Sequence, residues 1–289
     1  MKKTKKIFAV ILCASLALLS FGVIVQARES EPLKFVVLGD SIAEGVGARI
    51  KSNAYANRIA RAKGYELSNF GKGGDTSAAL LWKVTEDETI RQGIRDADII
   101  AVSIGGNDFY PSLSLVLNGF LGEYSWMEPR REALRENFFD AVAEIRALNP
   151  DAMLIVQTLY NPLLALPLPT LYDLYDETVQ GINAVIGEYL TQQPDAFLIA
   201  DVYAAFQGRY GTVSIDMVHP SDCGHAIIAD VLMDTIDGTQ TLKPASGAIN
   251  LLAGIFYKPV FEALDWIIVG MLRIVHDALP SVWERIMQL

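Results

Sequence analysis

Short apolar runs that stop abruptly at glycine or polar residues recur along the chain, at 34–38, 66–70, 99–104, 153–158 and 197–200. Runs this short, bounded by turn residues, suit strands buried on both faces. Between them apolar residues return every three or four positions, over 53–63, 76–84, 129–147, 172–190 and 226–236, which is the period of a helix. Strand and helix signals alternating at this spacing predict crossover units: an α/β domain over 34–238 with a parallel sheet of about five strands and helices on both faces. In such a sheet the ligand site lies beyond the carboxyl ends of the strands. The connections 109–128 and 159–169 follow strands and are apolar yet interrupted by proline or glycine, so they read either as an acyl-binding wall or lid, or as ordinary loop packing.

Both ends of the chain fall outside this alternation. Lys2, Lys3, Lys5 and Lys6 precede an uncharged apolar run over 7–25, and Val25-Gln26-Ala27 resembles a cleavage site. Residues 1–27 therefore read as an export signal, with an uncleaved membrane anchor as the alternative. The expected location is secreted, or attached to the outer face of the cytoplasmic membrane. The segment 245–289 carries apolar residues at helical spacing, interrupted by Lys258, Glu262, Asp265 and Arg273. It reads as an amphipathic helical extension that packs on the domain, self-associates or makes peripheral membrane contact.

Charge narrows the partners. Removing 1–27 takes away four lysines and no acids, moving the net charge from −10 to −14, which argues against nucleic acid. Of the two cysteines, Cys13 lies in the signal, so the exported chain has no intrachain disulfide. Cys223 reads as a small buried filler, with a redox switch as the competing role. Three scattered histidines offer no metal-ligand spacing.

The chemistry gathers at the polar stops. Ser41, in Gly39-Asp40-Ser41, sits where the first strand ends and a helix begins, which places a hydroxyl in solvent. A serine becomes nucleophilic when an imidazole takes its proton, and the imidazole needs a carboxylate to fix its tautomer. Asp216 and His219, followed by Pro220, meet that need on one loop. An arbitrary Asp-x-x-His is more often a surface hydrogen bond, and the company of Ser41 changes the balance. His225 suits a cap or packing role and His276 a surface or interface role. Oxyanion donors are available in Asn69-x-Gly71-x-x-Gly74-Asp75-Thr76, through the Gly74 amide, and in Gly105-x-Asn107-Asp108, through the Asn107 side chain. Trp82 and Trp126, near strand ends, suit packing or stacking on a sugar.

Taken in order, these four blocks resemble the GDSL, or SGNH, hydrolase family. The resemblance implies a flavodoxin-like three-layer α/β/α sandwich and serine esterase or lipase chemistry without metal or organic cofactor. It assigns Ser41 as nucleophile, His219 as base and Asp216 as its orienter, with the Ser41 amide, Gly74 amide and Asn107 side chain as oxyanion donors. The expected substrate is a small ester, of a lipid or lysophospholipid acyl chain or of an acetylated sugar. An inactive surface binding module on the same fold is the rival from another class.

Overall fold

The computed structural model describes residues 31–109, 125–165, 169–209, 211–214, 216–239 and 258–286. The chain divides after Pro32 into a leading segment and a unit that starts at Leu33. The expected signal at 1–27 lies outside the described residues, as do 110–124 and 166–168 of the two apolar connections and 245–257 and 287–289 of the tail.

Successive side chains of a strand point to opposite faces, so a strand apolar at every position needs a core on each side. The strands β1 (Lys34–Gly39), β2 (Glu66–Asn69), β3 (Ile99–Ser103), β4 (Met153–Gln157) and β5 (Leu198–Ala200) form one parallel sheet in the order β2-β1-β3-β4-β5. Val36, Leu38, Ile100, Val102, Leu154 and Val156 enter one core, while Phe35, Val37, Ile99, Ala101 and Ile155 enter the other. The first core is closed by α3 (Ser77–Glu86), α4 (Glu88–Asp96), α5 (Met127–Leu148) and α6 (Pro169–Gln192). The second is closed by α2 (Tyr55–Lys63), α7 (Val202–Phe206) and α8 (Asp222–Asp237). This is the expected three-layer, flavodoxin-like sandwich, and its topological switch point lies between β1 and β3.

Two helices escaped the sequence pattern. In α4 the apolar face is only Ile90 and Ile94, one turn apart among polar residues, and no turn separates it from α3: Asp87 both ends α3 and caps α4 by accepting from the Thr89 and Ile90 amides. The five residues of α7 are too few for a period to show. The tail forms α9 (Lys258–Ala278) and α10 (Pro280–Ile286). On α9, Asp265 is buried and accepts from the Thr170 hydroxyl at 2.8 Å, while Trp266, Met271 and Ile274 stand largely in solvent. Among the described residues no helix is long and apolar enough to cross a membrane.

The junction after β1 sets up everything that follows. Gly39 pairs with Ser103 across β1 and β3 at φ +136°, and a Cβ there would lie 1.9 Å from the Ser103 carbonyl oxygen. Only glycine lets the two strand ends approach so closely. Asp40 then caps α1 (Ser41–Glu44), its Oδ1 accepting from the Ile42 amide at 2.9 Å. Asp40 as a whole is 2 % exposed. Desolvation pushes its pKa up to about 7; the Ile42 amide opposes this, and the nearby Asp108 and Asp75 add to it.

A carboxyl with a raised folded-state pKa holds a proton that the unfolded chain has released, so its contribution to stability falls as pH rises from about 4 to about 7. Asp40→Asn keeps an acceptor for Ile42 and removes the ionisation. The variant is expected to gain stability over the parent at pH 8, the gain shrinking towards pH 4, in urea unfolding at both pH values. Equal differences at the two pH values would contradict this account.

Candidate active site

Ser41 opens α1 at the carboxyl end of β1, and the loop of Asp216 and His219 runs into the first turn of α8. The two meet: His219 Nε2 lies 2.8 Å from Ser41 Oγ, and His219 Nδ1 lies 2.8 Å from Asp216 Oδ2. With Nδ1 donating to the carboxylate, Nε2 is left as an acceptor for the serine proton.

The acid and base are held by their own loop. Asp216 Oδ1 accepts from Ser214 Oγ at 2.6 Å and from the Val218 and His219 amides at 3.0 Å each. Met217, at φ +57°, bends the backbone so that both amides return to the carboxylate. Partial burial alone would raise the Asp216 pKa. The bonds from Ser214, His219 and Val218 outweigh it and hold the carboxyl well below the usual range, so it is ionised beside the imidazole.

Three supports of this loop carry no motif signal. Tyr160, buried and stacked on Phe206, donates its hydroxyl to the Val218 carbonyl at 2.7 Å. Gly47 backs the base: a Cβ there would meet the Pro220 carbonyl oxygen at 2.2 Å and His219 Cβ at 2.9 Å. Ser214 is the third. A pattern search centred on Asp-x-x-His overlooks it by two positions, and Tyr160 and Gly47 are remote in sequence.

The other histidines take structural places. His225 is buried in α8, its Nε2 donating to the Val46 carbonyl at 3.0 Å and its Nδ1 accepting from the Tyr55 amide at 3.4 Å. Burial lowers its pKa, in keeping with a neutral ring. His276 is exposed on α9 beside Asp277 and Trp283. Cys223 is exposed, which corrects the expectation of a buried filler: in the first turn of α8 the inward positions belong to Gly224 and His225.

Of the candidate oxyanion donors, the Ser41 amide opens α1, and Gly74 and Asn107 sit on two loops fastened together. Asn107 Nδ2 spends one proton on the Asp75 carbonyl at 2.8 Å and keeps a second, and its side chain faces the same cavity as Ser41. Asp75 is paired with Lys83, and Asp108 accepts from the Ser77 hydroxyl at 2.5 Å and the Ser77 amide at 3.0 Å. Gly74 stands at φ +85° with open space where a Cβ would be. Glu44 accepts from the Gly73 amide at 2.7 Å, drawing this loop against α1.

The cavity runs away from Ser41 and His219 between Leu159 and Tyr160 after β4 and one face of α6. Trp82 is 60 % exposed on α3 and does not line it; Trp126 packs partly on the core beneath the Arg130 guanidinium. Among the described residues, no group of three or more His, Cys, Asp or Glu could hold a metal ion.

Comparison with known proteins identifies the family. The family model of the GDSL-like lipase/acylhydrolase family covers residues 37–227. The spore germination lipase LipC of Bacillus licheniformis is 28% identical over 211 residues, 69% of this chain and 94% of that protein. The crystal structure of the lipase Lip_vut3 from a goat rumen metagenome superposes with a TM-score of 0.57 at 24% identity, over 73% of this chain and 100% of that one. Phospholipase A1 from Streptomyces albidoflavus shares the fold at a TM-score of 0.56 and 17% identity, over 71% and 99% of the two chains. The chain belongs to the GDSL-like lipase/acylhydrolase family, a family of ester hydrolases.

Proposed function

We propose that this chain is an exported serine esterase that hydrolyses lipid-type carboxylic esters through an acyl-enzyme. The observation that carries the reading is the unbroken relay from Ser41 Oγ to His219 to Asp216, both links 2.8 Å, at the mouth of a largely apolar cavity. Ser41 Oγ attacks the ester carbonyl while its proton passes to His219 Nε2. Asp216 steadies the resulting imidazolium. The carbonyl oxygen takes up the negative charge and faces the amides of Ser41 and Gly74 and the free proton of Asn107 Nδ2. Collapse of that intermediate expels the alcohol, which receives the proton from His219. Water then repeats the cycle on the acyl-enzyme and releases the acid.

An apolar cavity favours an alkyl chain over a sugar acetyl group, which would leave most of the space unfilled. The four leading lysines, the apolar run over 7–25 and Val25-Gln26-Ala27 support export.

Ser41→Ala is expected to lower turnover of a nitrophenyl butanoate by at least about a thousandfold, with an unchanged melting temperature and no fluorophosphonate adduct. Retained turnover would reject the mechanism. Tyr160→Phe keeps the ring but leaves the Val218 carbonyl without its partner, at a stability cost of about 1–3 kcal/mol. Its kcat is expected to fall several-fold with little change in KM, and an unchanged kcat would show that the bond does not position His219. Mass spectrometry of the exported protein is expected to find Arg28 at its amino terminus, and an intact signal would point to an anchor instead.

A further inference from the structure

The cavity beside Ser41 has a neighbour. The main cavity, about 120 Å³, is walled on its far side by Tyr175, Thr178, Val179 and Ile182 of α6. That spacing of three, four and seven puts all four on one face of the helix. A second cavity of about 20 Å³ lies against Trp126 and Leu174. Phe109, Tyr175 and Thr178 line both, so these three side chains form the partition between them.

The partition is built unevenly. Phe109 is 3 % exposed and belongs to the core behind β3, so it is a fixed post. Tyr175 and Thr178 are only half-buried. The Thr178 hydroxyl donates to the Leu174 carbonyl at 2.9 Å, so it brings no unsatisfied donor to an alkyl chain. We propose that Phe109, Tyr175 and Thr178 are a chain-length gate: an acyl group fills the main cavity up to them, and a longer chain must displace the Tyr175 ring to reach the space beside Trp126 and Leu174. An apolar cavity of about 150 Å³ holds one benzene ring, so the main cavity takes roughly four to six acyl carbons. Up to that length each methylene moves into an apolar surrounding, which raises kcat/KM by roughly fourfold per carbon. Beyond it the chain meets the partition and the gain stops. The gate rests on the esterase reading above.

The test is a series of nitrophenyl esters from acetyl to decanoyl, run on the parent protein and on Tyr175→Ala and Thr178→Leu, with melting temperatures and fluorophosphonate labelling of each. The parent is expected to peak at butanoyl to hexanoyl. Tyr175→Ala joins the two cavities, and its octanoyl-to-butanoyl ratio of kcat/KM is expected to rise at least tenfold. Thr178→Leu thickens the partition, and its hexanoyl-to-acetyl ratio is expected to fall several-fold. Opposite shifts in ratio cannot come from partial unfolding, which lowers all rates together. If Tyr175→Ala does not fold, Thr178→Leu decides alone. Ratios that stay at parental values, with the parent active, overturn the gate and leave the esterase standing. A parent that hydrolyses none of the series and takes no label at Ser41 overturns both.

Discussion

The contact between Ser41 and His219 spans 178 positions of sequence, and it cannot hold itself together. Closing a loop of that length costs about 4–5 kcal/mol in chain entropy, whereas one hydrogen bond returns about 0.5–1.5 kcal/mol net. The sheet and the second core must therefore do the closing. β1 is an interior strand of the sheet, where it meets β3 through Gly39, and α8 packs on α2 over Tyr55, Ile59, Ile228 and Leu232. His225 completes the join, reaching from α8 to Val46 and Tyr55 at once. The serine and the imidazole meet because the apolar layers beneath them leave no other arrangement.

Electrostatics at the switch point needs a similar resolution. A site that receives negative charge on an oxyanion is surrounded by three acids, Asp40, Asp75 and Asp108. Each is handled differently. Asp75 is paired with Lys83, and Asp108 leans on the Ser77 hydroxyl and amide. Burial raises the pKa of Asp108, as it does that of Asp40, whose value near 7 keeps it largely protonated below neutrality. Below neutrality the charge left facing Ser41 is thus smaller than the residue types suggest.

The strands, the main helices and the meeting of Ser41 with His219 were legible because each leaves a local mark: a run, a period or a polar stop. What stayed hidden lacks such a mark. In α4 two isoleucines one turn apart carry the buried face and Asp87 alone carries the boundary, so the period is present but too short to stand apart from α3. Tyr160 and Gly47 matter through contacts with His219's loop from 59 and 172 positions away, and their type alone does not distinguish them from any core tyrosine or turn glycine. Cys223 shows the reverse error: cysteine is commonly buried, but the turn it occupies points it outward. The tail is helical, as its spacing predicts, but the period does not say which residues meet the domain: Asp265 is buried while Trp266 and Met271 face solvent.

Asp216 and His219 share one short loop whose bonds to itself outnumber its bond to Ser41. Base and orienter therefore travel as a rigid cassette. A small displacement of that cassette would uncouple the serine while leaving the imidazole's tautomer and its ionised companion untouched. Readiness to accept a proton and delivery of that readiness to the nucleophile are thus physically separate properties, the first local to the bonds among Ser214, Asp216, Val218 and His219 and the second belonging to the whole sandwich.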